Sequence, residues 1–146
     1  MNKLSRYCAY QERCINDVIN QMKKYEVDPE SGKVIIEKLK AEGFIDEKRF
    51  SRMYVLGKLR NNHWGKIKIK QELKGKLVDG RIILEAIECI EETEYMNIID
   101  NLIKKKESLL KGEKIFVLKH KIAQFIINKG FESNIVWDRI NRSIES

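Results

Sequence analysis

Apolar residues recur every three to four positions along nearly the whole chain, and the interruptions fall at glycine, asparagine and proline. That period puts one apolar stripe on each of a succession of helices, and the turn residues locate the joints between them. Asp28-Pro29-Glu30-Ser31-Gly32 reads as the clearest turn, because proline keeps the residue before it extended and glycine breaks a helical run. Glu42-Gly43 reads as a helix C-terminus, where glycine takes up the left-handed conformation. Asn61-Asn62-His63-Trp64-Gly65, Val78-Asp79-Gly80, Lys111-Gly112 and Lys129-Gly130 mark four further joints. The pattern predicts nine helices, near 3–12, 15–25, 33–42, 46–61, 65–76, 80–92, 93–110, 113–129 and 133–144.

A longer period lies over the helical one. Val18, Met22 and Val27 are spaced four then five apart, as are Ile69, Leu73 and Val78, and Ile122, Ile126 and Phe131. The second triplet is followed by Ile82, Ile83 and Ile87, and the third by Ile135, Val136 and Ile140 at the same offsets. In the first unit Val34, Ile35 and Leu39 match after three extra residues around Pro29. The leading positions Val18, Ile69 and Ile122 give periods of 51 and then 53 residues, room for three helices each. The expectation is an all-α chain of three tandem three-helix repeats, 1–45, 46–92 and 93–146. One such unit buries too little apolar surface alone, so neighbours stack, and an elongated, curved array is expected.

Composition agrees. Hydrophobic residues make up 42% of the 146 positions and charged residues 35%, with one proline and eight glycines. Lys+Arg number 29 against 22 Asp+Glu, a net charge of +7 that points to an anionic partner. Cys8, Cys14 and Cys89 are an odd set without paired spacing. They read as small buried thiols, and His63 and His120 as solvated imidazoles. No metal or cofactor is expected. Met1 to Tyr10 has no apolar signal-like run, and Ile115-Phe116-Val117-Leu118 is typical of the short apolar stretches, far below a membrane span. The expected location is the cytoplasm.

Residues 42–52, Glu42-Gly43-Phe44-Ile45-Asp46-Glu47-Lys48-Arg49-Phe50-Ser51-Arg52, make local physical sense. Gly43 can end one helix, and Asp46 can cap the next by accepting from an amide near Arg49. Phe44 and Ile45 can staple the turn, and Phe50, Tyr54 and Gly57 are expected as the buried stripe of the new helix. The same segment resembles the RecX signature: glycine, an aromatic, an aliphatic, an acidic pair, then Arg-Phe and a small residue. Residues 65–78, from Gly65 through Glu72-Leu73 to Val78, are similar to that family's second signature. Two departures stand out. The acidic pair is Asp46-Glu47, and Gly75 precedes Lys76 where the family reads Lys-Gly and then an aliphatic. Gly43, Phe44, Asp46, Arg49, Phe50 and Leu73 carry the resemblance, and capping and core packing account for most of them.

Charge is unevenly spread. Residues 58–76 carry Lys58, Arg60, Lys66, Lys68, Lys70, Lys74 and Lys76 against Glu72 alone. Residues 104–121 are a second basic block, and 79–100 between them is acidic. Lys66, Lys70 and Lys74 recur at i, i+4 and i+8 on one helix face, a row able to track phosphates or an acidic groove. Trp64 stands beside the row, where it could stack on a base or pack as a cap. Adjacent carboxylates such as Glu91-Glu92 point to different sides of a helix, and no phosphate loop or nucleophile–base arrangement occurs, so an enzyme is not expected. The RecX resemblance implies a monomeric regulator that binds the RecA recombinase filament, lies in its helical groove near DNA, and modulates, mostly inhibiting, its ATPase and strand exchange. That places it in the regulation of DNA repair, recombination and the SOS response. Lys58, Arg60, Trp64, Lys66, Lys68, Lys70, Lys74 and Lys76 are the candidate contacts to the filament or to single- or double-stranded DNA. Two other classes compete: a helical DNA-binding module acting without a recombinase, and a scaffold that holds another protein through apolar contacts.

Overall fold

A computed structural model describes residues 2–144 of the chain. Among them are nine helices and no strand: α1 (Asn2–Tyr10), α2 (Ile15–Lys24), α3 (Pro29–Ala41), α4 (Glu47–Asn62), α5 (Lys66–Gly75), α6 (Gly80–Glu88), α7 (Glu92–Leu109), α8 (Ile115–Asn128) and α9 (Ser133–Ser143). They form three successive sets of three. By contacts the chain divides into two compact units, one running to Val55 and including Glu72–Ile87, the other comprising Leu56–Gln71 and the chain from Glu88 onward. None of the described helices is long and apolar enough to cross a membrane.

Each predicted helix has its counterpart; the largest shifts are at the end of α6, which stops at Glu88 rather than 92, and at the start of α3. Pro29 and Gly32 do not form a turn; both lie inside the helix. Asp28 is the N-cap, its side chain accepting from the Ser31 N–H at 3.2 Å, and Pro29 occupies the first turn, where its missing N–H costs nothing. The three-residue insertion inferred in the first repeat therefore disappears. Val27, Val78 and Phe131 each precede a helix-capping residue, Asp28, Asp79 and Glu132. The carbonyls of those caps accept from Gly32, Ile83 and Val136 at 2.9, 3.0 and 3.0 Å. The repeat thus runs without a gap through Gly32, Ile83 and Val136 and through Ile36, Ile87 and Ile140. Val34, aligned with the core before, is 63% exposed. Gly32 leaves the space that Ile83 or Val136 fills, and the Met22 side chain takes it, with Cε 3.2 Å from where a Cβ would stand.

The turn between the second and third helices of each set has the same backbone. Glu26, Leu77 and Gly130 occupy equivalent positions and all have positive φ, at 57°, 62° and 97°. The following residue's amide reaches back in the first two sets, Val27 to the Met22 carbonyl at 3.0 Å and Val78 to Leu73 at 3.3 Å. This is the left-handed helix ending that glycine favours. Only the third set has glycine there, and the departure from the family's Lys-Gly pattern falls at Leu77.

In the first unit Leu4, Cys8, Val18, Met22, Leu39 and Ile45 form a buried cluster, with Phe44, Ile35 and Ile36 packed against it. Fully burying each large aliphatic contributes about 1.5–3 kcal/mol. Cys14 caps α2 without solvent contact; burial pushes its thiol up to about 11. Cys89, expected to be buried with the other two, is exposed, because α6 ends at Glu88 and leaves it in the connecting segment. The stripe of α4 also differs from expectation. Ser51, Val55 and Leu59 are its fully buried positions, with Phe50 beside them. Tyr54 stacks on Phe50 at 5.6 Å from the edge of that stripe, and a Cβ at Gly57 would meet nothing within 4 Å.

In the second unit α7, α8 and α9 pack on one another, and the start of α5 is docked on the turn that follows α8. The Gly65 N–H donates to the Lys129 carbonyl at 2.9 Å, and the Ile67 N–H to the Gly130 carbonyl at 3.0 Å. The backbones come so close that a Cβ on Gly65 would lie 2.3 Å from the carbonyl carbon of Gly130, and one on Gly130 2.3 Å from Lys68 Cβ.

Two stability predictions follow from these contacts. Leu77→Gly removes a side chain that is 75% exposed and relieves a left-handed leucine, so urea unfolding should show a gain of about 0.5–1 kcal/mol. No gain would mean that the Leu77 backbone costs nothing. Gly65→Ala forces two backbones apart and should lose at least about 2 kcal/mol, whereas Gly75→Ala, at the open end of the same helix, should not destabilise. Equal behaviour of the two alanines in that assay would refute the close approach.

Candidate functional site

The basic segment begins where α4 ends. His63 turns the chain with a left-handed backbone (φ 55°), and the Trp64 N–H closes the α4 terminus on the Lys58 carbonyl at 3.1 Å. The half-buried indole carries two ammonium groups, Lys58 Nζ at 4.9 Å and Lys68 Nζ at 4.5 Å from its ring centre. Such cation–π pairs contribute about 0.5–1 kcal/mol where solvent reaches them. Trp64 is therefore neither a core residue nor a bare stacking platform; it holds two of the lysines in place.

Lys66 starts α5 against a buried aromatic of the second unit. Its N–H donates to the Tyr95 hydroxyl at 3.0 Å and its Nζ lies 4.6 Å from the Tyr95 ring centre. Tyr95 is 1% exposed, stacks against Phe131 at 5.3 Å, and donates its own hydroxyl proton to the Glu132 carboxylate. Burial, and then that hydrogen bond, hold the phenol well above its ordinary pKa, so it remains a donor at all ordinary pH. The N-terminus of α5, otherwise left with free amides, is thereby tied to α7, to the α8–α9 turn and to the α9 cap.

Beside Trp64, the seven basic candidate residues separate into three kinds. Arg60 forms a two-pronged pair with Glu94, Nε to Oε2 at 2.7 Å and an Nη to Oε1 at 3.0 Å. The Glu94 carboxyl is held below its usual range by that hydrogen bond. Lys76 is likewise committed, to Asp17 at 3.2 Å. Lys58, Lys66 and Lys68 lie over aromatic rings, which orients them. Lys70 is half-buried and Lys74 exposed, and neither makes an ion pair or hydrogen bond among the described residues. One turn apart on α5, they are the cations most available to a partner.

The residues carrying the family resemblance have structural work in the first unit. Gly43 is left-handed (φ 77°), and Asp46 accepts from the Arg49 N–H at 3.1 Å. The Arg49 guanidinium bridges Glu12 at 2.5 Å and the Gly43 carbonyl at 3.0 Å. Phe44 is half-buried, and Phe50 and Leu73 are buried. Glu12, Asp17, Glu94, Tyr95 and Glu132, which fix the arginines and lysines, were not foreseen. They lie 29 to 59 residues from the groups they meet, and no local spacing marks them. No group of three or more metal-binding side chains occurs among the described residues.

Comparison with known proteins connects this arrangement to a family. Residues 46–87 match the family model described as RecX, second three-helix domain. A regulatory protein RecX from Oceanobacillus iheyensis is 31% identical over 130 residues, which is 89% of this chain and 48% of that protein. One from Streptococcus sanguinis is 25% identical over 126 residues, 86% of this chain and 48% of its own. The chain thus spans about half the length of the curated relatives it matches. The crystal structure of RecX from Lactobacillus salivarius superposes with a TM-score of 0.89, covering 97% of this chain and 92% of that one at 22% identity, which establishes the shared fold. A second RecX crystal structure gives 0.86 at 21% identity, covering 97% and 70%. Residues 46–87 thus match the second three-helix domain of RecX, and the chain as a whole shares the fold of the two RecX crystal structures.

Proposed function

We propose that this protein binds a RecA-type recombinase filament and modulates its ATPase and strand-exchange activity, mostly by inhibition. The observation that carries this reading is the similarity to regulatory RecX proteins over 89% of the chain, with the RecX domain at its centre. The working surface in this reading is α5, where Lys70 and Lys74 face a partner directly and Lys58, Lys66 and Lys68 add oriented charge. The three-helix repeats 1–45, 46–92 and 93–146 present it to a repeating target, as a monomer in the cytoplasm, where DNA and recombinase are. Arg60 and Lys76 support the surface from within their ion pairs rather than reaching the partner. No catalytic step is assigned to the chain.

A second reading has its own support: two unpaired lysines one helical turn apart, with more cations beside them, are also what a phosphate backbone attracts. In that reading the protein binds DNA without the recombinase.

DNA-dependent ATP hydrolysis by the cognate recombinase, followed while this protein is titrated in, tests both. The first reading expects a block at substoichiometric amounts. The paired variant Lys70→Glu/Lys74→Glu should require about tenfold more protein for the same block, with a stability change within about 0.5 kcal/mol, as for ordinary surface positions. Arg60→Glu should behave differently and lower the unfolding midpoint, because it places two carboxylates together. Unchanged inhibition by the paired variant would remove α5 from the contact surface. No inhibition by the native chain, with DNA binding that weakens steeply with salt, would leave the second reading standing.

A further inference from the structure

The second basic block surrounds a surface that α5 has no part in. Of the twelve large hydrophobic side chains exposed among the described residues, five lie between 109 and 125: Leu109, Ile115, Phe116, Val117 and Phe125. Ile115, Phe116 and Val117 are consecutive and all exposed at the start of α8, with Phe116 at 72%. An amphipathic helix buries part of such a run; here all three lie outside, and Leu118 after them is half-buried. Beside it lies an open groove of about 530 Å³, along the end of α7 and one side of α8. Its apolar lining is Leu110, Phe116, Val117 and Phe125, and its charged lining is Lys106 and Lys121, with no carboxylate among the lining residues.

The cations are placed rather than loose. Lys106 Nζ lies 4.3 Å and Lys129 Nζ 5.6 Å from the Phe125 ring centre. Lys121 leans to Glu113 at the groove's end, at 2.6 Å. His120 packs between Phe116, at 4.4 Å, and Trp137, at 4.9 Å. Its Nδ1 is 2.9 Å from the Phe116 carbonyl, which braces Phe116 where it protrudes.

We propose that this α7–α8 groove is a docking site for an acidic amphipathic helix of a protein partner. Lys106 and Lys129, both held over the Phe125 ring beside the apolar lining, call for a negatively charged occupant. A nucleic-acid strand is the other anionic candidate, but stacking needs open aromatic faces, and much of this patch is aliphatic. The Phe125 face, moreover, already carries an ammonium group. Leucine-like anchors at i, i+3, i+4 and i+7 fit an apolar floor of this size, and flanking glutamates meet Lys106 and Lys129. The inference does not depend on the recombinase reading, since none of the α5 residues lines the groove.

The probe is a fluorescein-labelled peptide of roughly 18 residues, about five helical turns, with leucines on one face and glutamates elsewhere. Fluorescence anisotropy with the full chain should show saturable binding, and a same-composition peptide with leucines spread around the helix should bind at least about tenfold more weakly. Phe116→Ser and Lys106→Glu should each weaken the first peptide by at least about tenfold, with unchanged circular dichroism. In ¹H–¹⁵N spectra the amides of residues 106–128 should shift first. Equal affinity for both peptides, no effect of the two variants, or no binding would overturn the proposal. So would a labelled oligothymidine that binds and is lost on Phe116→Ser while the peptide does not bind, an outcome assigning the groove to nucleic acid.

Discussion

Where the α4–α5 loop meets the α8–α9 turn, two stretches of backbone come together with no room for a methyl group between them. Gly65 and Gly130 make that approach possible, and the two amide-to-carbonyl bonds beside them fix the start of α5 in position and direction. The Tyr95 hydroxyl, taking the Lys66 amide and giving its proton to Glu132, locks the same point from inside the core. Everything about the basic face depends on this. A helix start that slid by one residue would turn its side chains by about 100° and carry Lys70 and Lys74 together away from their present direction. The buried Ile69 and Leu73 hold the inner side of α5, and the backbone contact fixes where the helix starts.

The repeat is the second constraint, and it is plainest at the turns. Three different residues, Glu26, Leu77 and Gly130, accept the same left-handed backbone. Two of them do so against their own preference, because the helix that follows can begin only at the cap one position beyond the half-buried Val27 or the buried Val78. Gly130 alone is bound to be glycine twice over, by its φ and by the closeness of Lys68. At Gly32 the repeat loses a core side chain, and Met22, unbranched and flexible, fills the gap. Packing thus tolerates changes of residue type at repeat positions while the spacing between caps is kept.

That is why so much of the fold was legible. Helical period and turn residues are local signals, and the nine segments and the spacing of Ile69, Leu73 and Val78 needed nothing more. Pro29 misled because the same residue ends one helix and opens another; only the Asp28 cap tells which, and it had been read as part of a turn. The stripe of α4 was displaced by one position because Phe50 and Tyr54 are large enough to look like its centre, while small Ser51 occupies it. For the site, the cluster of lysines was evident and their division was not. Arg60 and Lys76 look like their neighbours in the sequence, and only Glu94 and Asp17, far along the chain, engage them in ion pairs. The exposed run at Ile115–Val117 gave no warning, since an apolar triplet reads as core until the fold leaves it outside.

The functional account reduces to one geometric statement, that the Lys70–Lys74 face of α5 is turned toward the recombinase filament. A cryo-electron microscopy reconstruction of the protein on the cognate recombinase–DNA filament, at a resolution that distinguishes helices, tests it most directly. The account predicts density for the repeat fold against the filament with α5 at the contact and Lys70 and Lys74 directed into it. Density that seats the protein by another face, with α5 open to solvent, would contradict it.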